Sequence, residues 1–239
     1  MNRIYVNGCS FTHGHTLPTR LRWPYLLSKK LKVKLFNQAR NSNSMGGILF
    51  NTINHLSDFD SDDTFVIIGL TFPNRKHIFF DDYLVNITAG DFNNMNVYSK
   101  FDRDKISTPY SLDRNYFDNY RDYENLEPVL KSFLNYYKNY ITRCKDIRKI
   151  DYLEYMTNLI CLQSFLKQEK FNYYFVNFNQ IIKLNDLPLE WKQTSIFNLL
   201  DEDRIIDIDD KNFIDEKTLH PSQLGCEIVS EKVYDRINR

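Results

Sequence analysis

Two residues near opposite ends of the chain carry the chemistry this sequence offers: a serine at position 10 and a histidine at position 220. A serine hydroxyl is a weak nucleophile. It attacks a carbonyl carbon when a base within hydrogen-bond reach takes its proton, and histidine does that work near neutral pH. Ser10 lies in Gly8-Cys9-Ser10-Phe11-Thr12, immediately after a short apolar run. His220 lies in Asp215-Glu216-Lys217-Thr218-Leu219-His220-Pro221, immediately before a helical pattern. A base of this kind needs a partner on its second ring nitrogen. The segment carries two carboxylates, Asp215 and Glu216. Lys217, three residues before the histidine, cannot accept a hydrogen bond while protonated. A backbone carbonyl or a water holding the ring would leave a Ser–His dyad of reduced rate.

Both segments need elements that bring them together. Residues 3–7 read as a short buried strand ended by Gly8. Residues 64–70 are the strongest strand in the chain, a continuous β-branched run after Asp62-Asp63. A strand apolar on both faces is covered on both, as in a parallel sheet between helix layers. Strands are also expected over 32–36 and 171–178. Helices are expected over 21–31, 48–56, 126–144, 152–168 and 223–237. The last is expected to bury Leu224, Ile228, Val229, Val233 and Ile237 on one face. Residues 74–125 are polar, aromatic and irregular, which suggests an insertion with a short hairpin. Strand–helix alternation predicts a single α/β domain, a three-layer sandwich around a central, mostly parallel sheet.

In such sheets the functional crevice lies at the carboxyl ends of the strands. The segments arriving there carry Ser10, the polar loop Asn37-Gln38-Ala39-Arg40-Asn41-Ser42, the loop Thr71-Phe72-Pro73-Asn74-Arg75, and His220. A serine that opens a helical turn also aims its backbone N–H at the crevice, where it can hold a developing oxyanion.

The segment Val6-Asn7-Gly8-Cys9-Ser10-Phe11-Thr12 resembles the first block of the SGNH/GDSL hydrolases, and His220-Pro221-Ser222 followed by Gly225 resembles their last block. Trp23-Pro24 and Asn37-Gln38-Ala39 strengthen a likeness to compact SGNH-like proteins of phage genomes. The resemblance implies a flavodoxin-like sandwich, with Ser10 as nucleophile, His220 as base and Asp215 as the substitute acid. It also implies oxyanion donors from the Ser42 main chain and the Asn74 amide. Ser42 stands where the family's second block has glycine, and Pro73 where its third block has asparagine, with Asn74 one residue later. There is no GxSxG elbow, which argues against the larger α/β-hydrolase fold.

The reaction so implied is hydrolysis of a small acyl ester, carbohydrate O-acetyl esters among them. An acyltransferase using the same residues and a non-catalytic binding or structural module are the alternatives. No cofactor is expected. The His13 and His15 pair lacks a third ligand, which argues against a metal. Charges balance at 31 basic and 31 acidic residues, which argues against nucleic acid or an anionic membrane as partner. The four cysteines, Cys9, Cys144, Cys161 and Cys226, form no CxxC pair and read as reduced thiols. No run approaches the ~20 apolar residues of a membrane span, and the expectation is a cytoplasmic protein. Alanine occurs only at Ala39 and Ala89 while Asn, Lys, Ile, Tyr and Phe abound. That bias fits an AT-rich genome, viral or microbial, and leaves virion association open.

Overall fold

The computed structural model of the chain describes residues 1–14, 16–41, 43–73, 75–80, 83–88, 96–99, 110–111, 132, 147–178, 199–210, 212–218 and 220–239. In chain order the strands are β1 (Arg3–Asn7), β2 (Lys34–Asn37), β3 (Thr64–Gly69), β4 (Arg75–Phe80), β5 (Tyr83–Thr88), β6 (Asn96–Ser99), β7 (Tyr110–Ser111), β8 (Asn172–Phe178), β9 (Ile205–Ile208), β10 (Ile214–Asp215) and β11 (His220–Pro221). The helices are α1 (Ser10–His13), α2 (Trp23–Leu31), α3 (Met45–Leu56), α4 (Ile147–Gln168) and α5 (Gln223–Ile237).

Five strands form the central sheet in the order β2-β1-β3-β8-β9, and every neighbouring pair is parallel. Alternation along each strand sorts the core into two layers. Ile4, Val6 and Ile67 point to a cluster with Trp23 and Leu27 of α2 and Val229 and Val233 of α5. Tyr5, Val66 and Ile68 point the other way, to Met45 and Ile48 of α3 and Met156, Leu159 and Leu162 of α4. The result is a three-layer α/β sandwich, as the apolar run at 64–70 required.

Three sequence expectations change. A fifth strand, β9, pairs with β8 through Ile206↔Val176 and Ile208↔Phe178. Residues 75–111 contribute a separate antiparallel sheet, β4-β5-β6-β7, where a short hairpin was expected. On α5, Leu224 is 51% exposed. The inward position belongs to Gly225, where a Cβ would lie 2.2 Å from the Phe213 carbonyl oxygen. The helix expected over 126–144 lies outside the described residues except for residue 132.

The chain runs from β1 outward to β2, then crosses back to lay β3 on the other side of β1. That reversal is the topological switch point, where the crevice of an open parallel sheet forms. Asn7 and Ile68 are register partners at the ends of β1 and β3. The loops beginning at Gly8 and Leu70 therefore emerge side by side.

Candidate active site

Gly8 turns the chain out of β1 with φ +156°. A Cβ there would sit 2.3 Å from Thr12 Oγ1 and 2.8 Å from the Gly69 carbonyl oxygen, so only glycine fits between these strand ends. The turn is tied from below. Asn7 Oδ1 accepts the Gly8 N–H at 2.8 Å, while Asn7 Nδ2 donates to Thr52 Oγ1 at 2.9 Å. It is tied from the side as well: the Gly8 carbonyl oxygen accepts the Arg40 N–H at 3.0 Å and Asn43 Nδ2 at 3.3 Å. Thr71 Oγ1 donates to the Asn43 carbonyl oxygen at 2.8 Å. The loops after β1, β2 and β3 are thus laced into one scaffold.

Ser10 opens the single turn α1. The Cys9 carbonyl oxygen accepts the N–H groups of Thr12 and His13, at 3.0 and 2.8 Å, and the Ser10 carbonyl oxygen accepts that of Gly14 at 2.8 Å. A first-turn N–H such as that of Ser10 has no intrahelical acceptor. Ser10 is 5% exposed.

Phe11 fixes the relation between this turn and the C-terminal segment. Its ring meets Phe72, Phe178 and Phe213 edge-on at centroid distances of 5.6, 5.9 and 5.8 Å, and the His220 imidazole at 5.8 Å. Each such contact is worth about 0.5–1.5 kcal/mol beyond burial. Ser10 and His220 are therefore brought to the same end of the sheet, separated by 210 positions in sequence.

His220 Nδ1 lies 2.8 Å from the Thr218 carbonyl oxygen. A carbonyl only accepts, so Nδ1 carries the proton, and in the neutral ring Nε2 is the basic nitrogen. Asp215, expected to orient this ring, does something else. Although it faces His220 in the two-residue β10–β11 ladder, its Oδ1 accepts from Thr218 N (3.0 Å), Lys217 N (2.9 Å) and Thr218 Oγ1 (3.3 Å). Those bonds, the Thr218 N–H foremost, hold its carboxyl below the usual range. A carboxylate so placed builds the turn that presents the Thr218 carbonyl. Glu216 is exposed on that turn.

Ser42 and Asn74, expected as oxyanion donors, lie outside the described residues, as does His15. His13 is engaged in the scaffold: Nδ1 meets the Ala39 carbonyl oxygen at 3.0 Å and Nε2 meets Arg22 Nη1 at 3.4 Å. No helix of the described residues is long and apolar enough to cross a membrane. Sequence reasoning missed Phe11, Phe72 and Thr218. The signal for the two rings was present, because each stands just past the end of a central strand.

A cleft of about 840 Å³ lined by Asp201, Glu202, Arg204 and Arg236 opens elsewhere, by the amino end of β9. Charges of both signs line it. None of its lining residues belongs to the loops at the switch point.

Neither a family model nor a curated protein matches the sequence. Solved structures do. The psychrotrophic esterase EstA from a Pseudoalteromonas species aligns over 100% of this chain and 97% of its own, with TM-score 0.50 and 14% identity. TesA aligns over 98% and 97%, with TM-score 0.52 and 12% identity. A member of the lipolytic G-D-S-L family from Veillonella parvula aligns over 99% and 98%, with TM-score 0.51 and 11% identity. The chain has the SGNH/GDSL hydrolase fold. At these identities the likeness speaks for the fold alone, and this SGNH-fold protein's chemistry must be argued from its own residues.

Proposed function

We propose that this protein is a serine esterase acting on a small acyl ester. Ser10 Oγ attacks the ester carbonyl carbon. His220 Nε2 takes the hydroxyl proton and returns it to the leaving alcohol; water then releases the acyl group by the same exchange. The Thr218 carbonyl oxygen holds the imidazole in the Nδ1–H tautomer, so the pair works as a dyad with a main-chain orienting group. The backbone N–H of Ser10 stabilises the oxyanion, joined in this reading by the Ser42 N–H and the Asn74 amide. Carbohydrate O-acetyl groups are the finer substrate assignment.

One observation carries the reading. The imidazole that the sequence singles out packs on Phe11, the residue after Ser10, with its other nitrogen already bonded to a carbonyl. The fold neighbours, among them an esterase described as inhibited by monoethylphosphonate, support the class of reaction. The test is hydrolysis of 4-nitrophenyl acetate by wild type, Ser10→Ala and His220→Gln, with fluorophosphonate labelling mapped by mass spectrometry. Loss of turnover in both variants and label on Ser10 are expected. An unlabelled Ser10, or full activity in the alanine variant, overturns the assignment.

A second reading, a binding module on the same scaffold, is favoured by the engagement of Asp215 with its own turn. A wild type that turns over no short-chain ester selects it.

A further inference from the structure

The row that begins at His220 does not end with Phe11. The Phe11 ring meets Phe72 edge-on at 5.6 Å, and the Arg75 guanidinium carbon lies 5.0 Å from the centre of the Phe72 ring. An imidazole, two phenyl rings and a guanidinium thus follow one another along the carboxyl ends of β1 and β3. The cation is held in place. Arg75 Nη1 donates to Thr71 Oγ1 at 3.0 Å, the same hydroxyl that donates to the Asn43 carbonyl oxygen at 2.8 Å. The Arg75 N–H also closes a turn on the Phe72 carbonyl oxygen at 3.2 Å.

Among the described residues no carboxylate forms an ion pair with Arg75, and its Nε is covered without an acceptor. A covered cationic donor with no acceptor is costly, and native proteins leave few such groups. Elsewhere in this molecule the cost is met internally. Lys76, one residue on, pairs with Asp151 at 2.8 Å and also with Glu154. Arg75 is only partly buried, its guanidinium is fixed by the Thr71 hydroxyl and the Phe72 face, and its charge is met by no carboxylate among the described residues.

The geometry points to Arg75 as a specificity residue that binds a carboxylate carried by the substrate, several bonds from the ester carbonyl. This rests on the esterase reading for the identity of the reacting bond. The planar guanidinium fork matches a carboxylate, and the aromatic surroundings strengthen the attraction. The preferred ester would be a half-ester of a short dicarboxylic acid, with the free acid toward Arg75.

The experiment compares 4-nitrophenyl monosuccinate and monoglutarate with the neutral butyrate and valerate esters, using wild type, Arg75→Gln and Arg75→Lys. The ratio of kcat/KM for anionic over neutral ester should fall about 10- to 100-fold in Arg75→Gln, mainly through KM, as for the loss of a charged hydrogen bond. Arg75→Lys should recover part of it. An unchanged ratio overturns the proposal. Binding of monomethyl succinate to the Ser10→Ala protein, followed by NMR titration, needs no turnover. It should weaken in a protein that also carries Arg75→Gln, and with added salt. Equal affinity, or no binding without the second substitution, overturns the proposal even where the esterase reading has failed.

Discussion

The carbonyl oxygen of Thr218 accepts a hydrogen bond from His220 Nδ1 at 2.8 Å, two residues along the chain. Such a bond fixes the tautomer and the ring plane. It adds little of the charge with which a carboxylate would stabilise the imidazolium formed during proton transfer. Asp215 contributes at one remove, by bonding the backbone N–H groups of Lys217 and Thr218.

Asp215→Asn should therefore lower kcat by no more than about 10-fold, far short of the ~10⁴-fold loss that follows removal of a triad acid. The amide oxygen of asparagine can still accept the same two N–H groups. Asp215→Ala removes the turn bonds altogether and should cost more than Asp215→Asn, with Glu216→Gln near wild type. Steady-state kinetics on 4-nitrophenyl acetate gives the ranking. A 10⁴-fold loss in Asp215→Asn would make Asp215 the acid after all.

The same carboxylate gives the turn a pH dependence. The Asp215 carboxyl is held below its ordinary value of 3.8 by the N–H groups it accepts. A group depressed in the folded state stabilises above its unfolded value, and that contribution is lost as pH falls through the folded one. The acid limb of a Tm profile should thus descend less steeply below about pH 4 in Asp215→Asn than in wild type. Superimposable profiles would show that the turn bonds carry no net stability.

Gly8→Ala tests the strand-end junction. The added methyl would meet Thr12 Oγ1 at 2.3 Å and the Gly69 carbonyl oxygen at 2.8 Å, at a φ of +156°. Overpacking and backbone strain each cost about 1–3 kcal/mol, and Ser10 two residues later would move with the turn. The variant should lose at least about 2 kcal/mol in urea unfolding, and most of its activity. Wild-type stability would mean that β1 and β3 can part at little cost.

The sandwich was legible because its central strands are apolar on both faces: Val66, Ile67 and Ile68 are all fully buried. Strand β9 was not, because Ile205–Ile208 is short, contains Asp207 and lies between acidic residues at 201–203 and 209–210. Ser10 and His220 stood out in the sequence because each adjoins a recognisable element, and the structure sets the His220 ring against Phe11, next to Ser10. The partner of the imidazole did not stand out. Asp215 is the substitute candidate because the usual position, three before His220, holds Lys217; the β10–β11 ladder sets Asp215 opposite His220, but its Oδ1 accepts the nearby N–H groups of its own turn. Local side-chain-to-backbone bonds of this kind need little additional ordering of the chain. Leu224 was misplaced for a related reason: periodicity counts apolar residues, and Gly225 takes the inward position by having no side chain.

Asn7 offers the sharpest test of how the turn carrying Ser10 is held. It sits at the end of β1 with no solvent exposure and turns its side chain toward α3. Its Oδ1 accepts the Gly8 N–H, its Nδ2 donates to Thr52 Oγ1, and the same amide lies 3.4 Å from the Ile48 carbonyl oxygen. Asn7→Leu keeps the approximate volume and removes every one of these bonds, leaving a buried N–H and a buried hydroxyl to find partners. A buried group stranded in this way costs about 1–3 kcal/mol. Asn7→Asp keeps the acceptor for Gly8 and loses the donor to Thr52. If Asn7 positions the turn, Asn7→Leu should reduce kcat more than it raises KM, and Asn7→Asp should restore part of the rate while remaining destabilised. If both variants lose stability equally and keep wild-type kcat, Asn7 serves the core alone and the Gly8 turn is held by Arg40 and Asn43.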